Sequence, residues 1–189
     1  MNMHTMKMLI ATMGLLFAAT GALAADPPAS AATCVACHGP KGVSASPEWP
    51  NLAGQHAGYL EIQIRAFRDG QRENPAMAPF VNNLSDQDVS ELANYYASLP
   101  RGTSANGDAS LVASGENLSA YCKACHGMQG VPAANVWPVI AGQQAIYLQK
   151  QLAAFKSGAR VNAHMATVVK PFGDAEFKAL AAYYSQLKP

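Results

Sequence analysis

The chain contains the stretch Cys34-Val35-Ala36-Cys37-His38, and the same pattern recurs as Cys122-Lys123-Ala124-Cys125-His126. C-x-x-C-H is the attachment signature of c-type haem. Cysteines at positions i and i+3 lie on one face of a helical turn, so both can reach one porphyrin edge and form thioethers with its vinyl groups. The following histidine can then supply an axial ligand to the iron. The two copies use all four cysteines and predict two covalently bound haem c groups.

Four cysteines could instead form two disulfides or part of a structural zinc site. A zinc site needs four Cys or His ligands that converge from the two motifs. Each motif is followed by downstream partner residues of its own, which argues against one shared site. A cysteine pair followed directly by histidine also favours haem over a disulfide.

Residues 34–99 reappear as residues 122–187 at a constant offset of 88, without a gap. Nearly half of the aligned positions are identical, as in the Tyr-Tyr pairs at 95–96 and 183–184. A long-period repeat of this kind indicates tandem copies of one fold. We therefore predict two domains, at 25–100 and 111–189, joined by a polar linker at 101–110 that is rich in turn-forming residues.

Each copy is predicted to be helical, so the expected fold class is all-α. The predicted helices cover residues 28–38, 58–69 and a stretch from 85 in the first copy, and residues 111–126, 145–157 and a stretch from 174 in the second. Apolar residues recur at spacings of three and four in the last helix of each copy. Ser85 and Asp88 resemble a capping box, and Gly70 and Gly158 suit helix C-termini.

Residues 1–24 have the pattern of a secretory signal peptide. Lys7 supplies the positive charge, residues 8–19 are mostly apolar, and the small residues at 22–24 suit a cleavage site. An uncleaved membrane anchor is the alternative, but the apolar run is short for a bilayer span of about 20 residues. We therefore expect export of the mature protein.

The sixth ligand of the iron decides what a haem protein can do. Met77 and Met165 each stand 39 residues after the histidine of their motif, in a predicted loop. Met128 lies only two residues from His126, too close to reach the opposite haem face, and is interpreted as a packing or surface residue. We predict the axial pairs His38/Met77 and His126/Met165. Methionine ligation favours electron transfer and raises the potential.

Two further histidines do not belong to the repeat. Gln144 stands at the repeat position of His56, and Ala76 at that of His164. A repeated iron site cannot use a ligand that only one copy possesses. We therefore interpret both histidines as solvated or hydrogen-bonded side chains.

The order C-x-x-C-H, Pro-Asn-Leu-x-Gly at 50–54 and a late methionine is similar to the class I cytochromes c. In that family the proline carbonyl accepts the N–H of the ligating histidine, which implies this role for Pro50 and Pro138. The tandem arrangement resembles the dihaem cytochrome c4 family over nearly the whole mature chain. The resemblance implies two cytochrome c domains related by pseudo-twofold symmetry, with haem propionates facing the domain interface.

The resemblance also implies a function. Such proteins carry electrons in the bacterial periplasm, between partners such as a quinol-cytochrome c reductase and a terminal oxidase. A monomeric carrier is expected, and peripheral association with a membrane is compatible with this role. An alternative is the dihaem subunit of a periplasmic dehydrogenase of the flavocytochrome type. A haem enzyme would need a vacant iron position and nearby acid–base groups, and no such group recurs near either methionine.

Other candidate haem contacts recur at the same offset. Asn74 and Asn162 stand three residues before the methionines and can hydrogen-bond their loops. Arg72 and Arg160 suit a haem propionate, because a guanidinium group binds carboxylates bidentately. The aromatic candidates for the haem edges are Trp49, Trp137, Tyr59 and Tyr147. Loop packing and solvated charge are the alternative for all of these residues.

The net charge of +1 hides an asymmetry between the copies. Residues 25–100 contain four basic and eight acidic residues, a net charge of −4, whereas residues 101–189 contain eight basic and four acidic residues, a net charge of +4. Charge separation steers encounters between proteins. We hypothesise that the two ends dock different redox partners, ordinary surface charge being the alternative. Export and the haem motifs argue against a nucleic-acid partner for the basic half.

Overall fold

The computed structural model describes residues 26–188, and the predicted signal peptide at 1–24 lies outside this range. All regular structure within it is helical, which confirms the all-α prediction. The elements of the first half are a 3-10 helix Ala29–Thr33, α1 Val35–His38, α2 Ala57–Arg68, α3 Ala78–Val81 and α4 Asp86–Ser98. Those of the second half are a 3-10 helix Ala109–Leu111, α5 Val112–Leu118, α6 Ala120–His126, α7 Ala145–Ser157, α8 Ala163–Val169 and α9 Asp174–Gln186.

Each half buries its own apolar cluster. In the first half α2 packs on α4, and Leu60 meets Leu92 and Tyr96 in one cluster. In the second half α5 and α7 both pack on α9, around Phe155 and Phe177. Burial of such side chains is the main force that stabilises helices of this length. The first cysteine of each haem motif packs against the cluster of its own half.

The ends of the long helices follow the sequence signals. Ser85 Oγ accepts a hydrogen bond from the Asp88 N–H (3.1 Å), and the Asp88 carboxylate accepts one from the Ser85 N–H (2.9 Å), so the capping box is confirmed. Gly158 ends α7 in the left-handed conformation, with φ at +81°. Gly70 has φ at +72° and directly follows the C-cap of α2.

Three local predictions were wrong. The helix expected at 28–38 is a 3-10 helix, Ala29–Thr33, followed after Cys34 by the four-residue helix α1. The helix expected at 111–126 is interrupted at Ser119, whose hydroxyl donates to the Glu116 carbonyl (2.6 Å) and so competes with the regular helical pattern. Met165 lies in helix α8 rather than in a loop, because the Asn162 side chain caps that helix. Met77, in contrast, directly precedes the short helix α3.

The linker at 101–110 packs on both halves. The Arg101 guanidinium donates to the Gly54 carbonyl (2.9 Å) in the first half, and the Ser104 N–H donates to the Gly142 carbonyl (3.0 Å) in the second. Asn106 bonds the side chain of Gln144. Because these contacts hold the linker against folded surface, it acts as part of the interface.

Contacts between the halves come in reciprocal pairs. Gln55 bonds the backbone of Val139, and Gln143 bonds the backbone of Asn51. Val139 and Gln143 stand at the repeat positions of Asn51 and Gln55, so the two contacts are equivalent with the halves exchanged. Reciprocal contacts of this kind define a twofold arrangement. Among residues 26–188, none of the helices is long and apolar enough to cross a bilayer.

Candidate haem sites

Cys34 directly precedes α1 and Cys37 lies within it, whereas Cys122 and Cys125 both lie within α6. Burial raises the pKa of Cys34 and of Cys122, the first cysteine in each motif. The second cysteines, Cys37 and Cys125, are more exposed or only half-buried. In each motif the two cysteines are three residues apart and so lie on one side of the chain, as thioether attachment to one haem requires.

His38 and His126 are held in matching environments. Their side chains are 5% and 8% exposed. The Nδ1 of His38 lies 2.8 Å from the Pro50 carbonyl oxygen, and that of His126 lies 3.1 Å from the Pro138 carbonyl oxygen. A carbonyl can only accept, so Nδ1 carries the proton and Nε2 keeps its lone pair for a metal.

The protonation of both histidines also suits ligation. Burial lowers the pKa of each imidazole below its ordinary value, and the proline carbonyl only partly offsets this effect. Both rings are therefore neutral near pH 7, which is the form that binds a metal. Pro50 and Pro138 fix the orientation of these rings through their carbonyl groups.

A buried tyrosine hydroxyl lies beside the first cysteine of each motif. Within residues 26–188 the hydroxyls of Tyr96 and Tyr184 have no hydrogen-bond partner. Burial raises the pKa of both phenols, and the neighbouring thiols Cys34 and Cys122 add to the shift. Buried polar groups normally have a partner. The two halves thus share this tyrosine–cysteine contact at equivalent positions.

Met77 directly precedes a short helix, whereas Met165 lies within one. Met77 is half-buried at the N-cap of α3, and its N–H donates to the Asn74 carbonyl (2.9 Å). Met165 is half-buried and packs, as Cys122 does, against the apolar cluster of the second half. Its N–H donates to the Asn162 side chain (3.0 Å). Both asparagines thus orient the backbone of the methionine segments.

Arg72 and Arg160 cross the interface between the halves. Arg72 donates to Tyr147 of the second half (3.3 Å), and Arg160 donates to Tyr59 of the first half (2.9 Å). Burial would raise the pKa of Tyr147, but the charges of Arg72 and Arg160 hold it below its ordinary value. Each guanidinium also stacks on an aromatic ring, Phe67 in the first half and its repeat partner in the second.

Neither arginine has a carboxylate partner within the described residues. Both guanidinium groups instead share the side-chain oxygens of Gln63 and Gln151, at 2.7–2.8 Å. Two neighbouring cations held by neutral partners form a site for anions. Haem propionates have the required charge and shape. Neither glutamine was predicted as a site residue from the sequence, although both recur at the offset of 88.

The remaining candidates differ in exposure and in their contacts. Trp49 is half-buried and Trp137 is largely exposed. His56 hydrogen-bonds the carbonyls of Ala134 (3.1 Å) and Trp137 (2.9 Å) in the opposite half. His164 is exposed. In residues 26–188, no three His, Cys, Asp or Glu side chains are grouped as ligands of one metal ion.

Comparison with known proteins agrees with this geometry. The cytochrome c family matches the chain twice, at residues 28–100 and 112–188. Cytochrome c4 of Pseudomonas aeruginosa is 36% identical over 188 residues, covering 92% of both chains. The solved structure of reduced recombinant cytochrome c4 from Pseudomonas stutzeri superimposes with a TM-score of 0.79 and 30% identity, over 86% of this chain and 99% of that one. The chain belongs to the cytochrome c4 family.

Family membership establishes the cofactor and the general activity. As a cytochrome c4 relative with two cytochrome c domains, the chain binds two haem c groups covalently and transfers electrons. It is an electron carrier rather than an enzyme. A thiosulfate dehydrogenase electron acceptor of Thiomonas intermedia is also 36% identical, over 92% of this chain and 87% of that protein.

Proposed function

We propose that this protein is a periplasmic dihaem carrier that transfers electrons between respiratory partners, from a quinol-cytochrome c reductase towards a terminal oxidase. Residues 1–24 would direct export and be removed. The domains would comprise residues 25–100 and 111–189, with 101–110 as the linker. A monomer, associated at most peripherally with the membrane, is the expected form.

The matched surroundings of the two histidines are the observation that carries this proposal. Both rings are buried and neutral, and both donate Nδ1–H to the carbonyl of a proline twelve residues on. A methionine follows each histidine at the same distance of 39 residues. Two sites built alike suit two irons of similar chemistry, as a relay requires.

Two cysteines in each half would hold one haem: Cys34 and Cys37 in the first half, and Cys122 and Cys125 in the second. His38 and Met77 would ligate the first iron, and His126 and Met165 the second. Bound haem supplies a one-electron couple between Fe(III) and Fe(II).

The protein keeps each iron closed to other ligands. Pro50 and Pro138 hold the imidazole rings, while Asn74 and Asn162 orient the methionine segments. Arg72 and Arg160 would neutralise propionate charge at the interface, and Tyr59 and Tyr147 position the two guanidinium groups. Trp49 and Trp137 would border the haem edges. These residues therefore bind and orient, and none needs to transfer a proton.

The charge asymmetry supports a directional encounter with partners. Of the four ion pairs within residues 26–188, three join residues of the acidic half, and only Lys150 with Glu48 crosses between the halves. Lys170 and Lys178 are exposed on the basic half. Reversal of Lys170 and Lys178 to Glu should slow transfer with one partner and spare the other. Equal effects on input and output at several salt concentrations would refute the idea.

An optical redox titration tests the carrier proposal. Two reversible one-electron steps are expected, and carbon monoxide should not bind the reduced protein near pH 7, because both irons have six ligands. Replacement of Met77 or Met165 by Ala should open one iron each and allow carbon monoxide to bind. Binding of carbon monoxide by the unmodified protein would contradict the proposal.

A second candidate is the electron-accepting subunit of a periplasmic dehydrogenase. The similarity to a thiosulfate dehydrogenase electron acceptor favours it. Size-exclusion chromatography of a native extract separates the two roles. A free carrier should elute near the mass of one chain, whereas a subunit should co-elute with a dehydrogenase and its activity.

A further inference from the structure

Gln55 and Gln143 are buried at the centre of the interface, with exposures of 6% and 7%. Each belongs to the Ala-Gly-Gln sequence that recurs at the offset of 88. Each side-chain amide forms two hydrogen bonds with one residue of the opposite half. Neither residue has a role in holding haem in the proposal above.

The partner of each glutamine is the residue that follows the histidine-binding proline. The Asn51 N–H donates to Gln143 Oε1 (2.7 Å), and Gln143 Nε2 donates to the Asn51 carbonyl (2.9 Å). Likewise the Val139 N–H donates to Gln55 Oε1, and Gln55 Nε2 donates to the Val139 carbonyl, both at 2.8 Å. The backbone groups leave only one orientation for each amide, because an N–H needs an acceptor and a carbonyl needs a donor.

One peptide group therefore joins each histidine to the opposite half. The Pro50 carbonyl and the Asn51 N–H belong to the same peptide group. Its oxygen accepts from His38, and its N–H donates to Gln143. Linked hydrogen bonds polarise one another, and the effect is larger in a buried site of low dielectric.

We propose that each glutamine sets the potential of the haem in the opposite domain. By accepting the Asn51 N–H, Gln143 makes the Pro50 carbonyl a stronger acceptor for His38. More negative charge then resides on the imidazole, which stabilises Fe(III) and lowers the potential. Gln55 has the same effect on His126 through the Pro138–Val139 peptide group. The inference rests on the axial roles proposed above for the two histidines.

The two arrangements differ in one respect that helps the test. The Asn51 side chain is anchored by further hydrogen bonds, to the Ser44 N–H (3.0 Å), to Ser104 (2.9 Å) and to the Gly142 carbonyl (3.1 Å). Val139 has no polar side chain to anchor it. Loss of Gln143 should therefore leave the Pro50 loop in place while it removes the polarising bond and the bond to the Asn51 carbonyl. Loss of Gln55 also frees the Pro138 loop.

The experiment uses the haem-loaded protein and replaces Gln143 or Gln55 by Met. A redox titration followed by NMR gives the midpoint of each haem, with the axial histidine signals assigned to residue 38 or 126. Gln143→Met should raise the midpoint of the N-terminal haem and leave the other unchanged, and Gln55→Met should do the reverse. We expect the Fe(II)/Fe(III) ratio at fixed potential to rise about two- to threefold.

Gln144 provides a matched control. It is buried in the same interface and donates to the Ser44 carbonyl (2.8 Å) and to Asn51 Oδ1 (3.2 Å), but it does not bond either peptide group that accepts a histidine. Gln144→Met should leave both midpoints unchanged. Gln143→Glu retains an acceptor oxygen and should keep the N-terminal midpoint at or below that of the unmodified protein.

Several results would overturn the inference. These are an unchanged midpoint in both Met variants, a shift confined to the haem of the altered domain, or equal shifts of both haems, which would indicate a loosened interface. An upward shift in Gln143→Glu would also contradict it. If the histidine signals of the unmodified protein show no iron ligation, the axial assignment fails instead, so the two failures are distinguishable.

Discussion

One face of helix α9 is buried by neighbouring residues, whereas the corresponding face of helix α4 is exposed to solvent. The residues on this face of α9 are small and buried: Ala179, Ala182 and Ser185. At the same repeat positions α4 has the exposed Glu91 and Asn94 and the half-buried Ala97. The two halves thus share a fold but differ in the neighbours of their last helix.

The difference originates at the start of each half. Helix α5 crosses α9 so closely that a Cβ on Gly115 would lie 2.0 Å from the Ala179 carbonyl oxygen. Pro27 stands at the repeat position of Gly115, and the first half begins with a 3-10 helix and the short α1. The extra helix of the second half therefore requires small residues on α9, whereas the open face of α4 accepts polar ones.

The largest expected effect concerns this close crossing. Gly115→Ala should lower the free energy of unfolding by about 3 kcal/mol, because the added methyl group meets backbone that cannot move independently. Thermal unfolding followed by circular dichroism measures the loss. Ser114→Ala, on an exposed position of the same helix, should change stability by less than about 0.5 kcal/mol. An equal loss of stability in Gly115→Ala and Ser114→Ala would contradict the close crossing of α5 and α9.

Exchanging residue types between the two helix faces, on α4 and α9, tests this difference in burial. Ala182→Asn places an amide without partners against the linker and should cost about 2 kcal/mol. The reverse change in the other half, Asn94→Ala, should stabilise α4 by about 0.5 kcal/mol, since Ala has the higher helix propensity. Calorimetry of both variants tests this. Similar destabilisation by both changes would show that the α4 face is also covered.

The N-terminal caps of α4 and α9 also differ, and the expected effects on stability are smaller. Ser85 and Asp88 form a reciprocal box on α4, whereas on α9 Glu176 accepts from the Gly173 N–H (2.8 Å) and glycine offers no side chain in return. Ser85→Ala should cost about 1 kcal/mol, and Gly173→Ser should gain a few tenths, about 0.3 kcal/mol. Denaturant unfolding measures both. A higher free energy of unfolding in Ser85→Ala would contradict the capping box of Ser85 and Asp88.

The smallest predicted effect depends on pH. A hydrogen bond from Arg68, together with the charge of Arg65, holds the pKa of Asp86 below its ordinary value. The ionised carboxylate therefore contributes stability above that ordinary value, and the contribution is lost as the pH falls through the lowered pKa.

Asp86→Asn should consequently reduce the melting temperature slightly at neutral pH, and this difference should disappear as the pH falls through the lowered pKa of Asp86. Melting curves recorded from neutral to acidic pH test the prediction. Asp174, at the repeat position on α9, has no ion pair within residues 26–188, so Asp174→Asn is the matched control. A difference in melting temperature between Asp86→Asn and the unmodified protein that stays constant at all pH values would contradict the prediction.

The features that both copies of the repeat share were predictable from sequence. The repeat located both haem motifs and the paired methionines, and local signals placed the caps at Ser85 and Gly158. Contacts between the copies were not predictable, because the offset shows that Gln55 and Gln143 correspond but not that each reaches across. The interruption at Ser119 was also missed, since a single serine inside a helical pattern is compatible with an unbroken helix.

The central claim is that each half closes its own iron with a histidine and a methionine. Proton NMR of the fully reduced protein tests it most directly, since the haem ring current shifts an axial methionine methyl group far from other signals. Two such methyl signals are predicted, one lost in Met77→Ala and the other in Met165→Ala. A single signal, or two signals that survive either replacement, would contradict the account.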